Sequence, residues 1–286
     1  MEYIRLLYEK VEPHILKVTI NRPEKRNAID PRTRDELRDA FISANLDDDV
    51  HVIILAGAGK DFGAGYDMSG KGEPAVDRDS IYAGPGTTRT GMEKSLKYTD
   101  ITCVQHGLLI RDIDKATIAM VQGNCIASSL MYVSACDIII ASDDAKFQDP
   151  LIRWGHSGFE FYWPMNLNPR IAKEVVWTGD GMSAQVAKEG GMVNHVVSRE
   201  ELEETTMNLA RRIARNLPVG VSLWKRSINF YQDLSGQRNM QYYHLMNHEF
   251  SHGTDESQNW TKELRKVAAA GDVKGRIQFR DQPSKD

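Results

Sequence analysis

The sequence predicts an α/β chain that finishes in helices. Three observations carry this. Residues 138–141 are wholly apolar, as in strands that a parallel sheet buries on both faces. Strand-like and helix-like patterns alternate up to about residue 197. Beyond that point only amphipathic helical patterns follow.

Taken in order, residues 15–21 (ILKVTIN) alternate as a half-buried strand, and Arg22-Pro23 ends it. Residues 24–28 (EKRNA) form a basic loop. Asp30 as N-cap and Pro31 at the first helical position begin a helix to about Leu46. Residues 50–56 are a strand. The glycine-rich loop 57–67 (GAGKDFGAGYD) has neither GxxxxGK[ST] nor GxGxxG spacing, so a nucleotide site is a weak reading. Residues 69–89 read as a mobile surface loop or lid. Residues 91–114 read as a long helix, with Leu108, Leu109 and Ile113 at helical spacing.

At the centre, residues 117–121 are a strand, 123–129 a turn of small residues, 130–136 a buried helix and 138–141 a strand. A turn of that kind points free backbone N–H groups at whatever sits there, or is an ordinary strand-to-helix turn that binds nothing. Residues 149–162 form a polar loop. Segments 172–178 and 183–190 are helical, the second with a Ser183 cap and a glycine stop. Residues 192–197 are a strand. Helices follow at 199–215, 218–234, 238–252 and 262–269. No linker and no repeat of fixed period is visible. The expected division is a core over 1–198 and a helical region over 199–286.

The 286 residues are 41% hydrophobic and 27% charged, enough for a sizeable core. A net charge of −4 without basic runs argues against nucleic acid. No apolar stretch reaches the roughly 18 residues of a membrane span, and the N-terminus is not a signal peptide. Cys103, Cys125 and Cys136 lack metal-ligand spacing, so no metal site is expected. Their odd number fits reduced thiols and a cytoplasmic chain.

Four segments, in order and at family spacing, resemble the crotonase (enoyl-CoA hydratase/isomerase) superfamily. They are NRPEKRNAI at 21–29, DFGAGYDMS at 61–69, the central 118–150, and TGDGMSAQVAKEGGMVNHVV at 178–197. The resemblance implies a ClpP-like spiral of ββα repeats followed by a helical C-terminal trimerisation region. It implies a homotrimer or homohexamer. It also implies an acyl-CoA substrate, with coenzyme A entering as part of the thioester and no separate cofactor. Two backbone N–H groups would hold the thioester oxygen, at Tyr66 and Ser128 by position. The CoA-binding and substrate-binding residues carried over are Lys25, Arg26, Ala28, Ala64, Asp67 and Met68. For Lys25 and Arg26 the alternative is a solvated loop charge.

Two departures stand out. The turn is Ala127-Ser128-Ser129 where the family is glycine-rich. The two glutamates of the best-known hydratases fall on Met131 and Leu151, which carry no proton. Replacements come from the loop that follows. Glu160, among Phe159, Phe161, Tyr162 and Trp163, is the leading acid–base candidate; the alternative is a bridge to Arg153 or Arg170. His156 is a candidate base or relay, with an ordinary exposed loop histidine as the alternative, and Asp149 is a candidate whose alternative is a cap of its turn. His244, His248 and His252 recur every four residues and read as a polar packing face; metal binding is the alternative, though no acidic or cysteine partner is evident. Hydratase or lyase chemistry therefore comes first. A C–C hydrolase similar to 6-oxocamphor hydrolase, acting on a β-diketone or β-keto acyl-CoA, comes second. A non-catalytic acyl-CoA-binding homologue is the third reading.

Overall fold

The computed structural model describes residues 2–67 and 91–269. Its strands are β1 (Leu6–Glu12), β2 (Ile15–Ile20), β3 (Val52–Gly57), β4 (Ala116–Val121), β5 (Asn124–Ile126), β6 (Ile138–Ser142), β7 (Lys146–Gln148), β8 (Met182–Ser183) and β9 (His195–Val197). Six of them form one sheet in the order β1-β2-β3-β4-β6-β9. β1 and β2 pair antiparallel; the rest pair parallel, Ile15 against Val52 and Ile118 against Ile138. A second sheet, β5-β7-β8, stands beside it.

The first helix, α1, spans Pro31–Leu46, and Asp30 caps it by accepting from Thr33 N at 2.7 Å. Losing such a cap costs about 1 kcal/mol. Next come α2 (Gly91–Thr99), α3 (Gln105–Asp112), α4 (Ser128–Ser134), α5 (Tyr162–Met165), α6 (Pro169–Thr178) and α7 (Ala184–Glu189). The chain then turns helical with α8 (Leu202–Ala214), α9 (Pro218–Leu234), α10 (Gln237–Gly253) and α11 (Asp255–Ala269).

Every residue of β3 and β4 is buried. Successive strand side chains point to opposite faces. So Ile53, Leu55, Ala119 and Val121 pack with Leu37, Ala40, Phe41 and Ala44 of α1. Their neighbours Val52, Ile54, Ile118 and Met120 pack with Leu202, Met207 and Ala210 of α8. Burial on both faces is why these strands read as unbroken apolar runs.

The structure departs from the sequence reading in five places. β1 was not foreseen: most of its side chains are exposed, so little alternation shows. Buried Glu36 fixes its start by accepting from Ile4 N at 3.1 Å and Arg5 N at 2.8 Å. The expected helix 91–114 is interrupted by a π turn, Asp100–Val104. The turn 123–129 contains β5, and the loop beyond residue 142 contains β7. The last helix starts at Asp255 rather than 262, with Asp255 and Glu256 facing the positive end of its dipole. The expected lid, residues 69–89, lies outside the described residues. Among the described residues no helix is long and apolar enough to cross a membrane.

Candidate active site

The loop after β3 and the turn before α4 meet across the edge of β5. Gly63 bridges Cys125, and Ile126 N donates to Gly63 O at 3.0 Å. Gly65 N donates to Ser129 Oγ at 3.2 Å. A Cβ on Gly63 would stand 2.2 Å from that hydroxyl, and one on Gly65, at φ +85°, would stand 3.0 Å from Ile126 O. Glycine alone allows so close an approach. Ala127 then takes φ 47° and ψ −116°, a strained backbone for a residue with a Cβ, costing roughly 1–3 kcal/mol.

This geometry leaves two amides on either side of the contact. The bridge between Ile29 and Tyr66 uses the N–H groups of Ile29 and Asp67 and passes over that of Tyr66. Ser128 N opens α4 and has no preceding turn to bond. Neither amide meets an acceptor among the described residues. Two unoccupied backbone donors suit a carbonyl oxygen that gains negative charge. The Ser128 hydroxyl is buried without a hydrogen-bond partner, so the residue's polar contribution here is its backbone. The Tyr66 hydroxyl points away, lying 3.2 Å from Cys103 Sγ in the π turn.

Loop 21–29 is braced from inside. Buried Asn27 accepts from Arg22 N at 2.9 Å and donates to Ala58 O and Asp61 O, each at 2.8 Å. Arg22 pairs with Asp67 at 3.1 Å, so Asp67 orders the loop. Arg26 O accepts from Ala64 N at 3.0 Å, and Ala28 N donates to Lys25 O at 3.1 Å. The Lys25 and Arg26 side chains are left in solvent beside that loop. Met68 lies outside the described residues.

The carboxyls come from the chain beyond β7. Gln148 O accepts from Ala127 N at 2.8 Å, which sets the next residue, Asp149, beside the turn. Asp149 is 9% exposed and accepts from Leu151 N at 3.3 Å, so it caps as expected and is buried as well. Glu160 is 4% exposed and accepts from Tyr162 N at 2.9 Å. A Cβ on Gly158 would stand 2.8 Å from Asp149 Oδ2, so the segment leading to Glu160 lies against Asp149. Phe159, between them, has its ring 5.7 Å from that of Tyr66.

Burial pushes Asp149 up to about 6. Burial, and then the charge of Asp149, push Glu160 up to about 8. The Trp163 indole N–H lies near enough to hold both down somewhat, without reaching hydrogen-bonding geometry to either. Near pH 7 the pair therefore holds one proton, mostly on Glu160. Burial likewise raises the thiols of Cys103 and Cys125, which feel the Glu160 charge and stay neutral. Arg153 pairs with Asp180. Met131 is fully buried in the core, and Leu151 packs against that core.

His156 is drawn elsewhere. Its Nδ1 lies 3.0 Å from Ser157 O and its ring meets His248 and His252. His244 separates from that group and packs on Phe161, with ring centroids 4.9 Å apart. The spacing of four along α10 was legible; its convergence on a histidine from a distant turn was not. Cys103 and Cys125 are neighbours of the carboxyls that nothing local in the sequence marks, whereas Trp163 belongs to the aromatic run already read around Glu160. A cavity of about 860 Å³ lies elsewhere, lined by Asp137, Asn194, Trp224 and Lys225, and does not contain the carboxyl pair.

A sequence profile of the family described as enoyl-CoA hydratase/isomerase matches residues 10–268. EchA13 of Mycobacterium tuberculosis, assigned by its name to the enoyl-CoA hydratases, is 35% identical over 82% of this chain and 76% of its own. A carnitinyl-CoA dehydratase of Salmonella arizonae is 34% identical over 80% and 82%. The crystal structure of an enoyl-CoA hydratase/isomerase from Xanthobacter autotrophicus Py2 superposes with a TM-score of 0.85 at 28% identity. That match covers 99% of this chain and all of the other.

Proposed function

The chain belongs to the enoyl-CoA hydratase/isomerase family, and on that footing we propose that it adds water to, or eliminates water from, the Cα–Cβ bond of an acyl-CoA thioester. The observation that carries this reading is the buried pair Asp149 and Glu160, one ionised and one protonated near pH 7, beside two unoccupied amides.

The thioester oxygen accepts from Tyr66 N and Ser128 N. Asp149 takes a proton from water as it attacks Cβ. The electron pair of the Cα–Cβ double bond moves onto the thioester, and the two amides hold the resulting enolate. Glu160 gives its proton to Cα. Elimination runs the same steps backwards, and the dehydratase relative supports that direction as well. The pair would then do from residues 149 and 160 what the family's two glutamates do from the positions of Met131 and Leu151. A carbon–carbon hydrolase would need His156 as base, and its engagement with Ser157, His248 and His252 speaks against that.

Lys25 and Arg26, exposed beside Ala28 and Ala64, would meet the CoA phosphates. Leu223, Trp224, Ile228, Phe230 and Tyr231 of α9 leave a broad apolar face uncovered. Such a face supports a homotrimer or homohexamer in which residues from 199 onward pack between copies. Three buried cysteines without a disulfide support a reducing, cytoplasmic setting.

The test is Asp149→Asn and Glu160→Gln, each assayed with enoyl-CoA and 3-hydroxyacyl-CoA thioesters. Loss of acid–base assistance lowers turnover by about 10²–10⁴-fold, with thioester binding preserved. Near-normal turnover in both variants would remove the pair from the mechanism. Binding without turnover by the unaltered chain on every thioester would leave a non-catalytic acyl-CoA-binding protein.

A further inference from the structure

A second cluster of side chains stands apart from the carboxyl pair. His248 and His252 lie four residues apart on α10, hence on one face. His156 comes from the turn that follows Pro150–Trp154. One ring nitrogen from each of the three lies within 4.8 Å of the other two. The His156 and His252 rings are 4.2 Å apart, and the His248 and His252 rings 4.6 Å apart.

The tautomers are fixed by one atom. Ser157 O lies 2.7 Å from His248 Nδ1 and 3.0 Å from His156 Nδ1. A carbonyl oxygen only accepts, so both Nδ1 atoms carry the hydrogen and both Nε2 atoms keep a free lone pair. Histidine ligands in metal sites are oriented in this way, with the second ring nitrogen donating to a carbonyl or carboxylate. His248 is buried, His156 half-buried and His252 exposed, which gives an ion a path inward.

We propose that His156, His248 and His252 bind one Zn²⁺ per chain, clipping α10 to the turn that leads into Glu160. The ligand set is three imidazoles with water completing a tetrahedron. Zn–N bonds of about 2.0–2.1 Å require the three nitrogens to close to roughly 3.4 Å. The ion would stiffen the wall of the site rather than act on substrate, since Asp149 and Glu160 already supply the proton transfers. This proposal departs from the sequence expectation of no metal site.

The test uses the full chain without a histidine tag, stripped with EDTA and titrated with zinc chloride by calorimetry. One equivalent should bind with micromolar or tighter affinity, and Co²⁺ in its place should give the visible absorption of a tetrahedral site. His252→Ala, at an exposed position, keeps the fold and should weaken binding at least about tenfold, as even the loss of an outer partner does. The unfolding temperature should rise with zinc in the parent chain and not in that variant. His51→Ala serves as control, because His14 and His51 stack 4.0 Å apart at a separate place. Absence of saturable binding, full binding in His252→Ala, or loss of binding in His51→Ala would each overturn the proposal.

Discussion

Glu160→Gln should make the protein more stable and less active at the same time. The unfolded chain gives up this proton near 4.5 and the folded chain near about 8. Below 4.5 both states hold the proton and nothing is lost. Between 4.5 and about 8 the unfolded state is favoured by 1.36 kcal/mol for each pH unit, and above about 8 the penalty is constant. That places it on the order of 3 kcal/mol at pH 7 and roughly 5 kcal/mol at pH 9. Glutamine keeps the shape and the bond from Tyr162 N but cannot ionise. Urea unfolding at fixed protein concentration, repeated from pH 5 to pH 9, reads the difference. Parent and variant should nearly coincide at pH 5 and separate by several kcal/mol at pH 9, the variant being the more stable. Parallel curves at every pH, or a less stable variant at pH 9, would show that Glu160 is not held protonated and would remove the acid from the mechanism.

The pH profile of kcat/KM should be bell-shaped, rising through an apparent pKa of about 6 as Asp149 ionises and falling through about 8 as Glu160 does; Asp149→Asn should flatten the acidic limb. Ser128→Ala keeps the amide and removes a hydroxyl with no partner, so it should retain most turnover, whereas Ser128→Pro at native oligomer size should abolish it. Equal loss in both would assign the role to the hydroxyl. Ser129→Ala removes the acceptor of Gly65 N, and a lost buried hydrogen bond costs about 1–3 kcal/mol, readable as a lower urea midpoint. Light scattering at micromolar concentration should give three or six chains, and Trp224→Glu, in an exposed side chain of α9, should lower that number; a monomeric parent would contradict it.

The sequence exposed what depends on near neighbours. The Asp30 cap, Pro31, the doubly buried β3 and β4 and the Ser183 cap all rest on patterns within a few residues. Glu160 stood out because aromatic residues surround it in the chain itself. What stayed hidden depends on distant partners. β1 shows little alternation and is fixed by Glu36, some thirty residues away. The π turn is one extra residue per turn in an otherwise regular helix, which periodicity cannot register. Asp149 looked like an ordinary turn cap, and it is one. Its burial against Gly158 and its coupling to Glu160 appear only once the chain has folded back.

The bond from Gly65 to Ser129 bears on how the protein acquires its function as it folds. It joins residues separated by 64 positions, and Gly63 meets Cys125 beside it. Closing a loop of that length is slow next to helix formation. Pairing of β3 with β4 spans the same 64 positions, Val52 against Ala116, so the closure that builds the centre of the sheet also draws the two amide-bearing segments together. Catalytic competence should therefore rise together with burial of the core. In refolding, turnover and tryptophan fluorescence would recover in one phase, and a turnover phase slower than the fluorescence would contradict this.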